Sequence, residues 1–441
     1  MISKDSIAMI GAGLAGPLMA TFLTRHGYQV EIYERRSDMR KKKQSSGRSI
    51  NLALSRRGIE ALKNVGLYKK VKPNLIPMSG RMIHDIDGST HFQPYGQNNR
   101  EVIYSISRSF LNKAVMDHAE DTGKVDIHFN SKLIDIDVHN SKLIFDDGTK
   151  QFTRVFGSDG ASSMVRKAIC KISSVKFSRE ELNHGYKELT ILSKQNGDYQ
   201  IAPNVLHIWP RGEFMLIALP NKDGSFTCTL FLPSYGKESF SSLDKKGNIL
   251  TFFKKYFPDV LDFIPDLEEQ YRKNPLGRLG TVYCDKWHYK DKLLIFGDAA
   301  HAIVPFFGQG MNASFQDCMV IDSIIDKHKD NWVKIFDKFS ETHVANGHAI
   351  AKMALENYVE MRNSVNDNLY QKRRKLELEL EKKFQARFIP RYSMVSFHTL
   401  PYAEVYSRGE VQLEILNLFL KNQISESELS GRILNEFQPM I

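Results

Sequence analysis

The residues best suited to chemistry lie in one stretch, Leu293–Gln316, LLIFGDAAHAIVPFFGQGMNASFQ. Four apolar residues fit for a buried strand, 293–296, run straight into Gly297-Asp298. Pro305, Gly308 and Gly310 follow, and a helical pattern begins near Met311. A strand that stops at Gly-Asp and gives way to glycines opening a helix gathers a carboxylate and a row of unengaged backbone N–H groups at one place. That combination seats an electron-rich, hydroxylated ligand. An ordinary strand-loop-helix joint would not need Gly297, Gly308 and Gly310 together with Asp298 and Asn312.

A second constellation stands at the N-terminus. Ser6 to Ile10 reads as a short apolar strand, Gly11-Ala12-Gly13-Leu14-Ala15-Gly16 follows directly, and 18–25 continues as a helix. Gly11 permits a tight turn, Gly13 lets a pyrophosphate approach the backbone, and Gly16 lets helix and strand pack closely, with the helix N-terminus facing the phosphates. A further strand, 29–33, ends at Glu34, an acid placed to take the ribose hydroxyls of an adenosine. A lone GxGxxG is weak; strand, glycines, helix, strand and terminal acid together indicate dinucleotide binding. The same segment holds eighteen uncharged residues, 7–24, and so imitates a signal peptide or a membrane helix, but three glycines and Pro17 crowd its middle.

The elements that must position these groups come from a chain of 441 residues, too long for one core. With 42% hydrophobic and 25% charged residues it has the composition of an ordinary globular protein. Its net charge of +10 is scattered except at Arg40 to Lys43 and Lys372 to Lys375, so a solvated face, or attraction of small anions, is the expected meaning rather than nucleic acid. The four cysteines are far apart and include no C-x-x-C pair, which points to a reducing cytoplasm, with no zinc site and no other metal expected.

Within 40–57 the chain is basic and polar; Arg48 and Arg57 meet phosphate there or are plain loop charges. Two short strands around Asp87-Gly88 suggest a hairpin that carries Arg81 and Tyr95, by themselves a cation and a phenol that read as a surface pair. A strand over 102–107 leads through Arg108 into a helix from Ser109 to about Glu120. Strands at 125–129, 133–138 and 142–145 form a β-meander. Next comes Ser158-Asp159-Gly160 in the pattern D-G-x-x-S-x-x-R, ending at Arg166. Residues 186–235 read as an antiparallel sheet whose aromatic residues, Phe231 among them, line either core or pocket, with core the safer assignment. From 319 onward the pattern is helical, with 332 to about 388 as one long stretch and Pro390 and Pro401 punctuating an aromatic segment. No window after 330 has eighteen uncharged apolar residues, so no membrane span is expected in the tail.

Taken together, GAGLAG, SDGASSMVR and GDAAH resemble the single-component FAD-dependent aromatic hydroxylases. GRSINLALSRRG, GRMIHD, QPYG, VIYSISR, GDAAHAIVPFFGQGMNASFQDC, ALENYVEMR and RYSMVSF narrow the resemblance to the kynurenine 3-monooxygenase family, along nearly the whole chain. The resemblance implies an α/β (α+β) fold: a Rossmann-like FAD-binding domain of the aromatic hydroxylase type (1–72, 101–172 and 277–330), an inserted antiparallel β-sheet substrate domain (73–100 and 173–276) and a C-terminal helical region (331–441). It implies bound FAD, with NADPH and O2 as co-substrates, and hydroxylation of L-kynurenine to 3-hydroxykynurenine by way of a flavin C4a-hydroperoxide.

The same resemblance assigns Arg81, Tyr95, Asn357 and Tyr392 to the amino-acid end of the substrate, reversing the reading of Arg81 and Tyr95 as a surface pair. It assigns Gly11, Gly13, Gly16, Glu34, Arg108, Asp159, Asp298, Met311 and Asn312 to FAD. Pro305, Phe306 and Gln309 are expected to wall flavin from substrate, with no catalytic acid or base implied. Animal relatives carry membrane-spanning tails and this chain shows none, so a soluble, cytoplasmic, bacterial-type enzyme is expected, as monomer or homodimer. A related hydroxylase of another aromatic acid and a non-catalytic flavoprotein are the alternatives; a flavin halogenase is disfavoured because Trp209-Pro210 lacks the W-x-W-x-I-P run.

Overall fold

The computed structural model describes residues 6–41, 51–97, 101–245, 247–364 and 367–440. The chain folds as two units, one made of Met1–Leu75, Ile106–Glu181 and Gly280–Ala351, the other of Ile76–Ser105, Leu182–Leu279 and Lys352–Ile441.

The first unit is built on a six-stranded sheet. Its order is His288–Tyr289, Leu293–Ile295, Arg154–Gly157, Ser6–Ile10, Gln29–Glu34 and Val125–Phe129. All neighbours run parallel except the two-residue edge strand His288–Tyr289. Parallel strands covered on both faces are almost uniformly apolar, and the central strands here are close to fully buried. Because Ile10 pairs with Gly157 and Tyr33, and Gly157 with Ile295, the carboxyl ends of these strands lie side by side. The three glycine motifs and Glu34 therefore emerge at one edge of one sheet, where ligands of open parallel sheets bind.

The expected β-meander is corrected. Leu133–Asp137, Lys142–Phe145 and Gly148–Gln151 form a separate three-stranded antiparallel sheet, while Val125–Phe129 pairs with Gln29–Glu34 in the parallel sheet. Local spacing resembles a hairpin series; the burial available beside Gln29–Glu34 wins. The basic run at Arg40 is also less free than its sequence suggests. Arg40 is paired with Asp38 and Asp117 at 3.0 Å and with Glu120. Lys42, Lys43 and Arg48 lie outside the described residues.

The second unit contains a seven-stranded sheet in the order Gly277–Cys284, Phe177–Ile191, Phe226–Pro233, Phe214–Pro220, Leu206–Arg211, Gly80–His84 and Thr90–Pro94. The expected hairpin is its edge, but Gly80–His84 pairs parallel to Leu206–Arg211, so the sheet is mixed rather than purely antiparallel. One face is filled by Trp209, Phe214, Phe226 and Leu230 packed against Phe252, Phe253 and Phe257. Phe231 is buried too, beside Tyr186.

The tail is helical but not continuous. A helix Trp332–Val359 passes into a π turn, Glu360–Ser364, and a new helix runs over Asn368–Lys383. Asp367 caps that new helix, accepting from the Tyr370 N–H at 2.9 Å; Asn and Asp favour caps over helix interiors, so the stretch expected to run unbroken restarts here. Pro390 and Pro401 stand just before the helices Arg391–Phe397 and Tyr402–Leu420. Among the described residues no helix is long and apolar enough to cross a membrane.

Candidate flavin seat and substrate pocket

At the sheet edge of the first unit, Gly11 adopts φ +103°, and a Cβ on Gly16 would stand 2.1 Å from the Gly11 carbonyl oxygen and 2.6 Å from Ser158 Oγ. Any side chain at Gly16 would drive helix Ala15–Arg25 off the strand. Gly13 is exposed, and a Cβ there would meet nothing within 4 Å, which leaves the backbone open to approach. Glu34, at the end of its strand, accepts from the Ala12 N–H through Oε2 and from the Arg36 N–H through Oε1, both at 2.9 Å. Its carboxylate is thus locked against the glycine loop with lone pairs to spare. Arg108 and Asp298 are exposed and make no hydrogen bond or ion pair with described residues. Asp298 Oδ1 lies 4.0 Å from where a Cβ on Gly310 would stand, so this acid borders the start of the nineteen-residue helix Gly310–His328.

The first-turn N–H groups of that helix, at Gly310, Met311 and Asn312, lack intrahelical partners. The Asn312 side chain is committed elsewhere. It accepts from the Ser55 N–H at 2.9 Å and donates to the Ala53 and Gly308 carbonyls at 2.8 Å each, so it splints the helix start to the Asn51–Leu54 strand. Met311, Phe306, Phe307 and Gln309 are buried and Pro305 is exposed. Arg57 is neither a loop charge nor open to phosphate: it is fully buried on helix Arg56–Asn64 and donates to Gln316 at 2.6 Å.

Asp159 of the DG motif caps the following helix, accepting from the Met164 N–H at 2.6 Å, while its Oδ1 is buried without a partner among the described residues. Burial raises its pKa, against the hydrogen bonds that lower it. Arg166 of the same motif donates to the carbonyls of Ala161 and Ala299, joining the DG and GD segments.

Sequence reasoning missed Asp317 and His301. Asp317 Oδ2 accepts from the Gly297 N–H at 2.8 Å and lies 2.6 Å from His301 Nε2, all three buried. Burial alone would lower the His301 pKa, but the Asp317 carboxylate outweighs it and holds the value above the usual imidazole range. An acid in the interior of an apolar helix, seven residues after Gly310, was the available signal.

In the second unit, Arg81 and Tyr95 are buried, at 6% and 2% exposure. The guanidinium carbon of Arg81 lies 5.9 Å from the Tyr95 ring centre and 5.2 Å from that of Tyr392. Its Nη1 is 3.3 Å from Glu360 Oε1, which also accepts from the Tyr370 hydroxyl at 2.8 Å. Burial works against the Arg81 charge, yet Tyr370 and Glu360 more than restore it, so the group is a fixed cation. Burial likewise raises the pKa values of Tyr95 and Tyr392, leaving both phenols as neutral donors. Arg81 Nε has no hydrogen-bond partner among the described residues, and the Tyr95 hydroxyl lies between Arg81 and Tyr392. A buried guanidinium with an unsatisfied N–H suits an anion that supplies an acceptor. Asn357 is buried on helix Trp332–Val359 with its amide 3.2 Å from Met361 Sδ. Glu360, Tyr370 and Arg374 were not foreseen; Arg374 donates to the Tyr95 carbonyl at 2.7 Å and so grips the loop bearing that phenol.

Comparison with known proteins adds to this geometry. The chain matches the family described as FAD binding domain over residues 4–196 and 265–332. It is 46% identical over 412 residues to the kynurenine 3-monooxygenase of Myxococcus xanthus (strain DK1622), covering 92% of this chain and 89% of that one. To the kynurenine 3-monooxygenase of Flavobacterium johnsoniae it is 42% identical over 449 residues, covering 99% and 100%. Among solved structures, the tetrameric form of 2-methyl-3-hydroxypyridine-5-carboxylic acid oxygenase superposes with TM-score 0.67 at 18% identity, covering 82% of this chain and 94% of that chain. The tetracycline destructase Tet(51) does so with TM-score 0.62 at 18% identity, covering 91% and 100%. These structures share the fold.

Proposed function

The chain belongs to the kynurenine 3-monooxygenase family, and from that premise we propose that it hydroxylates L-kynurenine to 3-hydroxykynurenine, with FAD bound and NADPH and O2 as co-substrates. The observation that carries the reading is identity of 42% sustained along the full length of a relative so named. Buried Arg81, whose Nε has no partner among the described residues, supports it independently, since it suits a carboxylate.

FAD fits the residues present: a glycine loop that tolerates no side chain at Gly16, a fixed carboxylate at Glu34, and, without partners among the described residues, Asp159 Oδ1 and the exposed side chains of Arg108 and Asp298. In this reading Gly11, Gly13 and Gly16 receive the pyrophosphate, Glu34 the adenosine ribose, Asp298 the ribityl chain, and the N–H groups of Met311 and Asn312 the ring. Once reduced by NADPH, bound FAD supplies an electrophilic oxygen derived from O2.

The remaining tasks fall to side chains. Arg81 offers its planar fork, and Tyr95 its hydroxyl, to the substrate carboxylate. The N-terminus of helix Gly310–His328 stabilises negative charge next to it. Phe306, Phe307 and Gln309 are buried beside that helix start and keep water away from it. The substrate's own ring amino group activates the neighbouring carbon, so no residue has to act as a strong base. The four free cysteines support a cytoplasmic setting.

The test is NADPH consumption with and without L-kynurenine, with the product identified by mass. A gain of one oxygen on kynurenine is the expected result. Stimulation by salicylate or 4-hydroxybenzoate instead of kynurenine would assign another aromatic acid.

A further inference from the structure

We propose that Glu360 receives the α-ammonium group of the substrate, so that this pocket selects an amino acid over an aromatic acid carrying a carboxylate alone. The proposal rests on the assignment of Arg81 to the substrate carboxylate and extends it to the neighbouring charge.

The argument begins with charge balance. Arg81 is buried, and Glu360 is the acid beside it, 3.3 Å away; their side chains are 7% and 27% exposed. The second cation of the pocket, Arg374, is already paired with Glu377 at 2.9 Å. The Arg81–Glu360 pair is therefore neutral as it stands. Adding a simple monoanion to Arg81 would set two carboxylates around one guanidinium and leave a net negative charge in a low-dielectric site, which is costly. An α-amino acid carries its carboxylate and its ammonium on adjacent carbons. Entering as a zwitterion, it adds no net charge and turns one ion pair into two.

The unused hydrogen-bonding capacity is arranged to match. On the cationic side, Arg81 Nε is a buried donor without a partner among the described residues, with the Tyr95 hydroxyl next to it, which is where acceptors are needed. On the acidic side, the Tyr370 hydroxyl donates to Glu360 Oε1 at 2.8 Å and fixes the carboxylate, while the greater exposure of Glu360 leaves it open to a donor. Backbone geometry contributes as well. Glu360 opens the π turn that ends helix Trp332–Val359, three residues after Asn357, and such turns re-aim side chains at functional sites.

The experiment uses the FAD-loaded full chain and a pair of ligands, L-kynurenine and its desamino analogue 4-(2-aminophenyl)-4-oxobutanoate, titrated by the change in flavin absorbance. Wild type is expected to bind kynurenine the more tightly. In Glu360→Gln, which keeps the shape and an acceptor for Tyr370, kynurenine affinity is expected to fall about tenfold to a hundredfold, as for loss of a charge-assisted pair. The desamino compound is expected to bind at least as well as before, so the preference disappears. Equal weakening of both ligands would reveal a role only in shaping Arg81 and overturn the proposal; so would unchanged kynurenine affinity. If Arg81→Ala left both ligands bound as in wild type, the carboxylate assignment beneath the proposal would fall first, which separates the two failures.

Discussion

Tyr95 and Tyr392 stack with ring centres 5.0 Å apart and an interplanar angle of 12°, although one follows the hairpin strand Thr90–Pro94 and the other lies near the start of a tail helix. Arg81 lies against both rings. A desolvated guanidinium beside two aromatic rings is stabilised without being neutralised, and its planar fork is held in one orientation.

Arg81→Ala is therefore expected to raise the KM for L-kynurenine by roughly a hundredfold, the order of a lost charge-assisted pair, while FAD stays bound. Steady-state kinetics indistinguishable from wild type would refute the assignment. Arg81→Lys keeps the charge but not the fork, and should recover only part of the loss.

A chain ended before Tyr392 should retain flavin absorbance and lose hydroxylation, because every residue assigned to FAD belongs to the other unit. Tyr392→Ala gives the milder version, with KM affected more than flavin content. Full activity in the truncated chain would show that the tail contributes nothing to the pocket.

Asp317→Ala removes the acceptor of a buried backbone N–H at Gly297 and the partner of His301. A loss of about 2–4 kcal/mol in stability is expected, with weaker FAD retention read by fluorescence of released flavin. The His301 pKa is raised in the folded state, so this pair's contribution is fully present below pH 6.5, the ordinary value, and fades as pH climbs through the folded value. Asp317→Asn should flatten that alkaline limb.

On the acid side the sign is opposite. His207 Nε2 donates to the Ala202 carbonyl, which makes Nδ1 the acceptor from His84 Nε2 at 2.8 Å. Burial, with His84 adding to it, lowers the His207 pKa from 6.5 to about 4. The unfolded chain takes up this proton first, so stability should decline as pH falls from 6.5 towards 4, by on the order of 3 kcal/mol if no other group intervenes. Melting temperatures across this range, compared with His207→Gln, check it; equal slopes would exclude His207 as the cause.

What could be read from the residues alone was whatever is written locally. A strand ending in Gly11, Asp159 or Gly297-Asp298 announces itself within a dozen residues, and parallel register then brings the three together. Arg81 and Tyr95 were legible only through the family resemblance, because what buries them is a π turn and helices far along the chain. Arg57 was misjudged for the same reason: its partner Gln316 is 259 positions away. Val125–Phe129 was placed in the wrong sheet because alternation and turn spacing describe a strand, not its neighbour. Glu360 sat in a quoted motif without a role, since an acid on a helix face is ordinarily solvated.

The Asn312 splint has a consequence for the order of events in the cell. Its side chain holds Ala53 and Ser55, residues made 257 to 259 positions earlier. During synthesis the N-terminal glycine loop leaves the ribosome long before the helix that Asn312 begins, and before the strand Leu293–Ile295 that flanks Arg154–Gly157. The Gly11–Gly16 loop and the start of helix Gly310–His328 are thus joined only through contacts that span more than 250 positions of the chain.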